Sequence, residues 1–323
     1  MQITHLILLT VYATRKERNL SRAEAFTIPT ASQNILLVGG CGYIGCFLYQ
    51  QLDQLGFNVT VVDQLKRGNP LGLNVIADDY SNLPHDMLAQ FDAVLWFAGH
   101  SSVGQSIADP EGALVNNCLN LFSFAKRLAA HTKLIYASSG SLYSTKTVPA
   151  EPASEYCLAN IPTNNAYDIS KFAFDYLAES FLCNYFALRM GTVSGYSPNL
   201  RAELVFNAMN IAAATSGRVH LKNSDSYRTI LFLSDLWTLV HKLLVTPQKP
   251  GVYNVGSLSF KLGDLASKVA ATWKAQVVDE GNSDTYSFQL DITRMKAICG
   301  DGLSVTKFSQ QCRNFIRQYQ ATG

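Results

Sequence analysis

No two cysteines in this sequence stand as a CxxC pair, and its six histidines do not gather at metal-ligand spacings. The seven cysteines, Cys41, Cys46, Cys118, Cys157, Cys183, Cys299 and Cys312, are scattered without a framework. That pattern fits a reducing compartment, with thiols serving as small apolar fillers, and no metal site is expected. Charge of one sign is equally scarce. Lys and Arg number 26 against 24 Asp and Glu, for a net of +2, with no block of like charge. Neither a nucleic-acid surface nor a membrane-binding stripe is therefore expected. Low-complexity tracts and internal repeats are absent. The apolar run from His5 to Ala13 is about half as long as a membrane span needs. It lacks the basic residues that precede the core of a secretory signal, and Glu17 and Glu24 count against a transit peptide. Residues 1–32 are read as an N-terminal extension of unknown role, an arm or the product of an upstream start codon. A soluble, cytoplasmic protein is expected, and its 48% hydrophobic content allows a sizeable core.

From Gln33 onward a regular pattern begins. Ile35-Leu-Leu-Val38 is a short apolar run ending in glycines, as a buried parallel strand should. Ile44, Phe47, Leu48, Leu52 and Leu55 then recur at helical spacing up to Gly56. Further strands are predicted at Val59–Val62, Val75–Ala77, Ala93–Phe97, Lys133–Ala137 and Tyr185–Arg189, with helices around Leu114–Ala129 and Tyr167–Phe181. Strand and helix in alternation predict an α/β fold with a doubly wound parallel Rossmann sheet. Beyond about Gly195 the rhythm loosens, with short strands near Val219–Leu221 and Thr229–Leu233. The expected division is a dinucleotide-binding domain carrying the catalytic residues over 33–194. A smaller, mainly substrate-binding lobe follows over 195–323, with some segments returning to the first.

Gly39-Gly40-Cys41-Gly42-Tyr43-Ile44-Gly45 falls between the first strand and the first helix, and satisfies both GxxGxxG and GxGxxG. A turn without side chains lets a pyrophosphate approach the backbone amides, and the helix N-terminus stabilises its charge. Asp63 stands eighteen residues beyond Gly45 at the end of the second strand. An acid there accepts hydrogen bonds from an adenosine ribose and repels a 2′-phosphate, which favours NAD over NADP. Lys66 and Arg67 pull the other way, since either could contact a 2′-phosphate.

Tyr167 and Lys171 are four apart on a predicted helix and share one face. A phenol is a poor base at neutral pH, and a nearby ammonium is expected to lower its pKa into use. Ser138-Ser139-Gly140-Ser141 follows a strand ending at the same edge of the sheet, where a hydroxyl could bond the oxygen being oxidised.

With these residues in place, the sequence from about Gln33 to the C-terminus resembles the extended short-chain dehydrogenase/reductases. Within them it is closest to the sugar-nucleotide epimerase/dehydratase group and its UDP-glucose 4-epimerase-like members. The glycine turn, Asp63, Phe97-Ala-Gly-His-Ser-Ser-Val103, Tyr167-Asp-Ile-Ser-Lys171 and the segment around Arg228 fall in that family's order. The resemblance implies Ser139 as catalytic hydroxyl, Tyr167 as acid/base, and Lys171 as its activator and ribose ligand. It implies cofactor contacts from Gly39, Gly42, Tyr43, Ile44, Gly45, Asp63, Asp78, Asp79, Ala98, Gly99 and Asn117. Substrate contacts fall to Ser139, Thr192, Asn207 and Arg228, the last two on a diphosphate. The implied activity is NAD-dependent epimerisation of a nucleotide-diphosphate sugar through a transient 4-keto intermediate. A homodimer formed through two helices per subunit is typical of the family.

The sequence also departs from the pattern. Gly140-Ser141 replaces the Asp-Glu pair of 4,6-dehydratases, Thr192 stands where many 4-epimerases carry asparagine, and Arg228 is followed by Thr229 rather than Asp. Two alternatives stay open: an NAD(P)H-dependent 4-ketoreductase or dehydrogenase of a nucleotide sugar, and a catalytically silent dinucleotide-binding sensor or scaffold.

Overall fold

In strand β1 (Asn34–Val38) four consecutive apolar side chains are wholly interior, and they alternate between two cores. Ile35 and Leu37 join one, Leu36 and Val38 the other. A strand of this kind needs helices on both faces. The computed structural model describes residues 33–101, 103–144, 151–155, 165–283, 285–300, 303 and 307–321. The N-terminal extension and Cys157 lie outside them.

Helix α1 (Tyr43–Gln54) starts directly from the glycine turn. It ends where Gly56 takes a left-handed φ of +76° and Phe57 N–H returns to the Leu52 carbonyl at 3.1 Å. β2 (Asn58–Val62) then runs parallel to β1, with Asn34 opposite Asn58. β3 (Val75–Ile76), the short α2 (His85–Leu88) and β4 (Ala93–Trp96) follow.

The single helix predicted around Leu114–Ala129 is instead a broken one, preceded by α3 (Val103–Ala108). α4 (Pro110–Leu114) is capped by Asp109, which accepts the Gly112 N–H, and has proline in its first turn. A wide π-helical stretch, Val115–Asn120, separates it from α5 (Leu121–Ala125). The widened turn directs Asn117 and Cys118 inward.

β5 (Lys133–Ser139), α6 (Ala166–Phe181) and β6 (Tyr185–Met190) complete the first half of the chain. Beyond it come β7 (Thr192–Ser194), α7 (Val205–Ser216), β8 (Arg218–Leu221), β9 (Tyr227–Phe232) and α8 (Leu233–Val245). β10 (Gly251–Val255), β11 (Leu258–Lys261), α9 (Leu262–Trp273), β12 (Gln276–Asp279), α10 (Thr293–Cys299) and α11 (Phe308–Gln320) close the order.

The main sheet has seven parallel strands in the order β10-β6-β5-β4-β1-β2-β3. Its order reverses between β1 and β4, and in such sheets ligands bind beyond the strand C-termini at the reversal. β10 reaches this sheet from late in the chain. α8 and α10 pack with it through Leu236, Leu239, Leu243 and Met295. The remaining elements build a third core around Phe206, Val219, Ile230, Leu265 and Phe315. There β7, β9 and β11 form a small mixed sheet, and β8 pairs with β12.

Candidate active site

The glycine turn is held by close packing. A Cβ on Gly39 (φ +81°) would lie 2.8 Å from the Ala98 backbone nitrogen, and one on Gly45 only 2.1 Å from the Gly39 carbonyl oxygen. Only glycine lets the turn, the start of α1 and the end of β4 approach so nearly. Asp63 fastens the turn from below, accepting the Cys41 N–H at 3.0 Å and the Leu65 N–H at 2.8 Å. Tyr43 points inward, its hydroxyl donating to the Gly195 carbonyl at 2.7 Å, and Ile44 packs half-buried on the first core. Lys66 and Arg67 are exposed on the loop after β2.

Asp78 is exposed and accepts from the Asn82 amide at 2.9 Å, a bond that holds its carboxyl below the usual range. Asp79 caps the turn at Tyr80–Asn82, accepting the Ser81 N–H at 2.9 Å, and also takes the Gln64 amide.

After β4, Gly99 has a left-handed φ of +93°, and a side chain there would also strike Asn117 and Trp96. Asn117 is wholly buried. It accepts the His100 N–H at 3.0 Å and donates to the His100 carbonyl at 3.2 Å and to Ser170 Oγ at 3.1 Å. Both amide protons are thus committed to the protein, and Asn117 acts by pinning the Gly99–His100 loop against α6. His100 Nε2 pairs with Asp109 at 3.0 Å, and its buried Nδ1 has no partner among the described residues.

Ser139 ends β5, and Tyr167 and Lys171 lie in the first turns of α6. Lys171 is buried, with Nζ donating to the Ala137 carbonyl at 2.9 Å and standing 4.7 Å from the centre of the Trp96 ring. Burial lowers its pKa to about 7, against an upward pull from Asp175. Asp175 is itself buried, accepting from Tyr136 at 3.0 Å, Ser138 at 2.9 Å and Arg189 at 2.7 Å.

Burial pushes the Tyr167 phenol up to about 12, while hydrogen bonding to Ser139 pulls it down. Lys171 Nζ is 5.9 Å from the Tyr167 ring centre, and the nearby cation that draws the phenol pKa down is Arg201. Ser139 is also part of a chain of hydroxyls: Ser139 and Ser141 Oγ are 2.8 Å apart, and Ser141 donates to Asp168 at 2.5 Å.

On the far side of the cleft, Thr192 is half-buried in β7, opposite Ile230. Arg228 donates to the Tyr227 carbonyl at 2.9 Å, to the Tyr286 carbonyl and to Thr285 Oγ1 at 2.8 Å. Its guanidinium stands 4.1 Å from the Tyr286 ring centre. No carboxylate is within ion-pair reach of it among the described residues. A buried guanidinium in that state suits an anion.

Asn207 differs from its expected role on a diphosphate. It is wholly buried and tied to Gly195 N–H at 3.0 Å, the Arg201 carbonyl at 3.0 Å and the Tyr43 hydroxyl at 3.3 Å. It braces α7 against α1 and has no polar atom left to offer.

Sequence reasoning missed Arg201, Tyr286 and Asp168. Arg201 pairs with Glu203 at 2.7 Å, and its charge reaches both Tyr167 and Tyr43. Nothing local marks the first two residues, which come from far along the chain. Asp168 carries a signal only as a helix-capping acid behind Asn165.

Among the described residues there is no group of three or more potential metal ligands, and no helix long and apolar enough to cross a membrane.

A family model for the NAD dependent epimerase/dehydratase family matches residues 35–256. UDP-glucose 4-epimerase 1 of Oryza sativa subsp. japonica is 34% identical over 149 residues, which cover 40% of this chain and 42% of that protein. UDP-glucose 4-epimerase of Halalkalibacterium halodurans is 28% identical over 180 residues, covering 52% and 53%. The chain thus matches about half the length of these curated relatives. Among solved structures, UDP-N-acetylglucosamine 4-epimerase from Methanobrevibacter ruminantium M1 superposes with a TM-score of 0.77 at 21% identity, over 91% of this chain and 100% of that one. MoeE5 in complex with UDP-glucose and NAD gives 0.73 at 22%, over 90% and 99%. These two likenesses are likenesses of fold. With the parallel sheet, the glycine turn and a family match that runs from β1 through β10, the chain belongs to the NAD dependent epimerase/dehydratase family.

Proposed function

We propose that the protein is an NAD-dependent epimerase acting on a nucleotide-diphosphate sugar through a transient 4-keto intermediate. The observation that supports this reading is that Lys171 Nζ, 5.9 Å from the Tyr167 ring centre, reaches the Ala137 carbonyl and the Trp96 ring at the C-terminal ends of β5 and β4, with Ser139 ending β5. The residues present fit a dinucleotide. Gly42 caps α1 with no side-chain hydrogen bond, so no side chain covers the helix N-terminus, and His100 Nδ1 is a buried polar atom without a partner among the described residues. The turn's amides would hold the pyrophosphate, with Gly42 and Gly45 at the start of α1. Asp63 would face the adenosine ribose, Asp78 and Asp79 the adenine side, and the backbone of Ala98 and Gly99 would line the passage between them. Lys171 would hold the second ribose.

When bound, NAD supplies the redox partner for the sugar carbon. The chain's own groups position the sugar and move the proton. Tyr167 Oη takes the proton of the sugar hydroxyl and later returns it, Ser139 holds the same oxygen, and Lys171 contributes a buried positive charge. Arg228, unpaired with any described carboxylate and stacked on Tyr286, would hold the diphosphate. Thr192 would line the sugar pocket. We also infer that two copies pair through the helices of the α3–α6 region.

The test is to denature freshly purified protein, identify any released dinucleotide, and assay UDP-glucose for conversion to its 4-epimer. Stoichiometric NAD, with conversion and no net build-up of reduced cofactor, is expected. Protein that arrives empty and consumes NADPH would point to a one-way ketoreductase instead. Tyr167→Phe should lower kcat by about 10²–10⁴-fold while dinucleotide content stays the same. A variant with native turnover overturns the assignment of Tyr167.

A further inference from the structure

Asp175 lies one turn beyond Lys171 on α6 and is buried with it. Its partners come from two strands. Oδ1 accepts the Tyr136 hydroxyl at 3.0 Å, while Oδ2 accepts the Ser138 hydroxyl at 2.9 Å and Arg189 Nε at 2.7 Å. Neutralising Arg189 would by itself bring both oxygens onto the guanidinium as a fork. Here one oxygen is turned away to Tyr136, and Arg189 Nη2 is buried without a partner among the described residues. The carboxylate thus follows β5 rather than the guanidinium.

What it holds in β5 is the place where the lysine rests. Tyr136 and Ser138 are two residues apart and share one face of the strand. Between them is Ala137, whose carbonyl accepts Lys171 Nζ at 2.9 Å. β4 pairs with β5 only as far as Trp96 opposite Tyr136. Beyond Tyr136 the strand is paired on one side only, by β6, and Asp175 fastens it to α6.

We propose that Asp175 is a positioning residue for Lys171: by gathering the hydroxyls on either side of Ala137, it fixes the carbonyl on which the buried ammonium rests. The inference rests on the epimerase reading only for its effect on turnover. Charge works in the same direction, since a carboxylate one turn away favours the protonated lysine. On α6 itself Tyr167 and Asp168 precede Lys171, and Tyr176 and Glu179 beyond Asp175 are exposed. Of the elements packed on α6, β5 adds Tyr136 and, at its far end, Lys133. The turn after β5 adds Tyr143, which accepts from Arg189 of β6 at 2.7 Å. α4 adds only the exposed Glu111 and the π-helical stretch only Cys118, while α3 and α5 add no titratable group.

Two variants test the clamp. Asp175→Asn keeps the shape of the side chain but removes its charge and leaves it one accepting oxygen. Ser138→Ala removes one of the two β5 bonds and leaves the Asp175–Arg189 pair in place. Lys171 is followed in the NAD-loaded protein by carbon-13 NMR of ε-labelled lysine, its resonance assigned with Lys171→Met. In both variants Lys171 should lose its proton at lower pH than in the parent, by about half a pH unit or more in Asp175→Asn and by a smaller step in Ser138→Ala. For UDP-glucose, kcat should fall about tenfold in the first and about threefold in the second, with KM within about twofold. A residue that only held the fold together would lower the urea midpoint and leave the lysine titration where it was. That result in both variants overturns the proposal. So does a shift confined to Asp175→Asn, which would make the carboxylate a distant charge rather than a clamp. If Asp175→Asn does not fold, Ser138→Ala decides alone. The titration needs no turnover, so parent protein inactive on UDP-glucose defeats the epimerase reading and leaves the role of Asp175 to be decided by the lysine resonance.

Discussion

Lys171 is a cation that the fold makes costly to keep charged. It is buried against the Trp96 ring, and its pKa falls from an ordinary 10.5 to about 7. Unfolding restores the ordinary value. Between those two pH values the unfolded chain binds the proton that the folded chain has released, so this lysine's contribution to stability rises with pH across the window. Lys171→Met removes the titration while keeping much of the apolar stem. The difference in urea midpoint between parent and variant should therefore move in the parent's favour from about pH 7 to about pH 10. A difference that stays constant over that range would mean the lysine titrates normally in the folded protein. The pairing of Tyr167 with Lys171 was legible from their spacing, which puts both on one helical face. That the lysine would also donate to the Ala137 carbonyl was not, because this depends on how deeply α6 seats over β4 and β5. Asp168 was hidden for a related reason: an acid at the third position of a helix has a sufficient local explanation, and only Ser141, from the turn after β5, adds a second contact.

At the scale of elements, the turn between β1 and α1 is the place where one methyl group should matter most. A Cβ on Gly45 would meet backbone of Gly39 and Gly40, at 2.1 and 2.6 Å, which cannot move aside as a side chain would. Gly45→Ala should back α1 away from β1 and weaken NAD binding at least tenfold, or about 1.4 kcal/mol, measured by calorimetry on protein stripped of dinucleotide. Gly104→Ala in α3 is the control, since nothing lies within 4 Å of its Cβ. Its binding should match the parent. This region was readable because every local signal agrees, from the apolar run of β1 through the glycines to the amphipathic α1. The stretch from Asp109 to Ala125 was readable only as helical. Its π turn exists because Asn117 must face inward to hold His100, a demand set by a loop seventeen residues earlier. β10 was harder still. Gly251–Val255 is a short segment whose place beside β6 is decided by α8 folding back over the sheet.

For the whole molecule, the distribution of exposed apolar side chains is uneven. Nine large ones are exposed among the described residues, and six of these (Ile107, Leu114, Leu119, Ile169, Tyr176 and Phe181) belong to the stretch from α3 through α6. Tyr176 and Phe181 are each 64% exposed and Ile107 68%. Apolar residues concentrated on adjacent helices mark an association surface more often than a solvated one. α3 and α4 pack beside α6, so these side chains belong to neighbouring helices, and a second copy meeting them about a twofold axis would cover them together. A stable pairing of this kind covers about 800 Å² on each partner and removes the exposed side chains from water together. Light scattering during gel filtration should accordingly give the mass of two chains at micromolar concentration. Tyr176→Glu places a charge on the exposed side of α6, nine residues along the helix from Tyr167, and should yield single chains that still bind NAD. A parent protein that runs as one chain removes the pairing from the account. A Tyr176→Glu protein that stays paired relocates the contact to another surface and leaves the apolar character of α6 to be explained by a different partner.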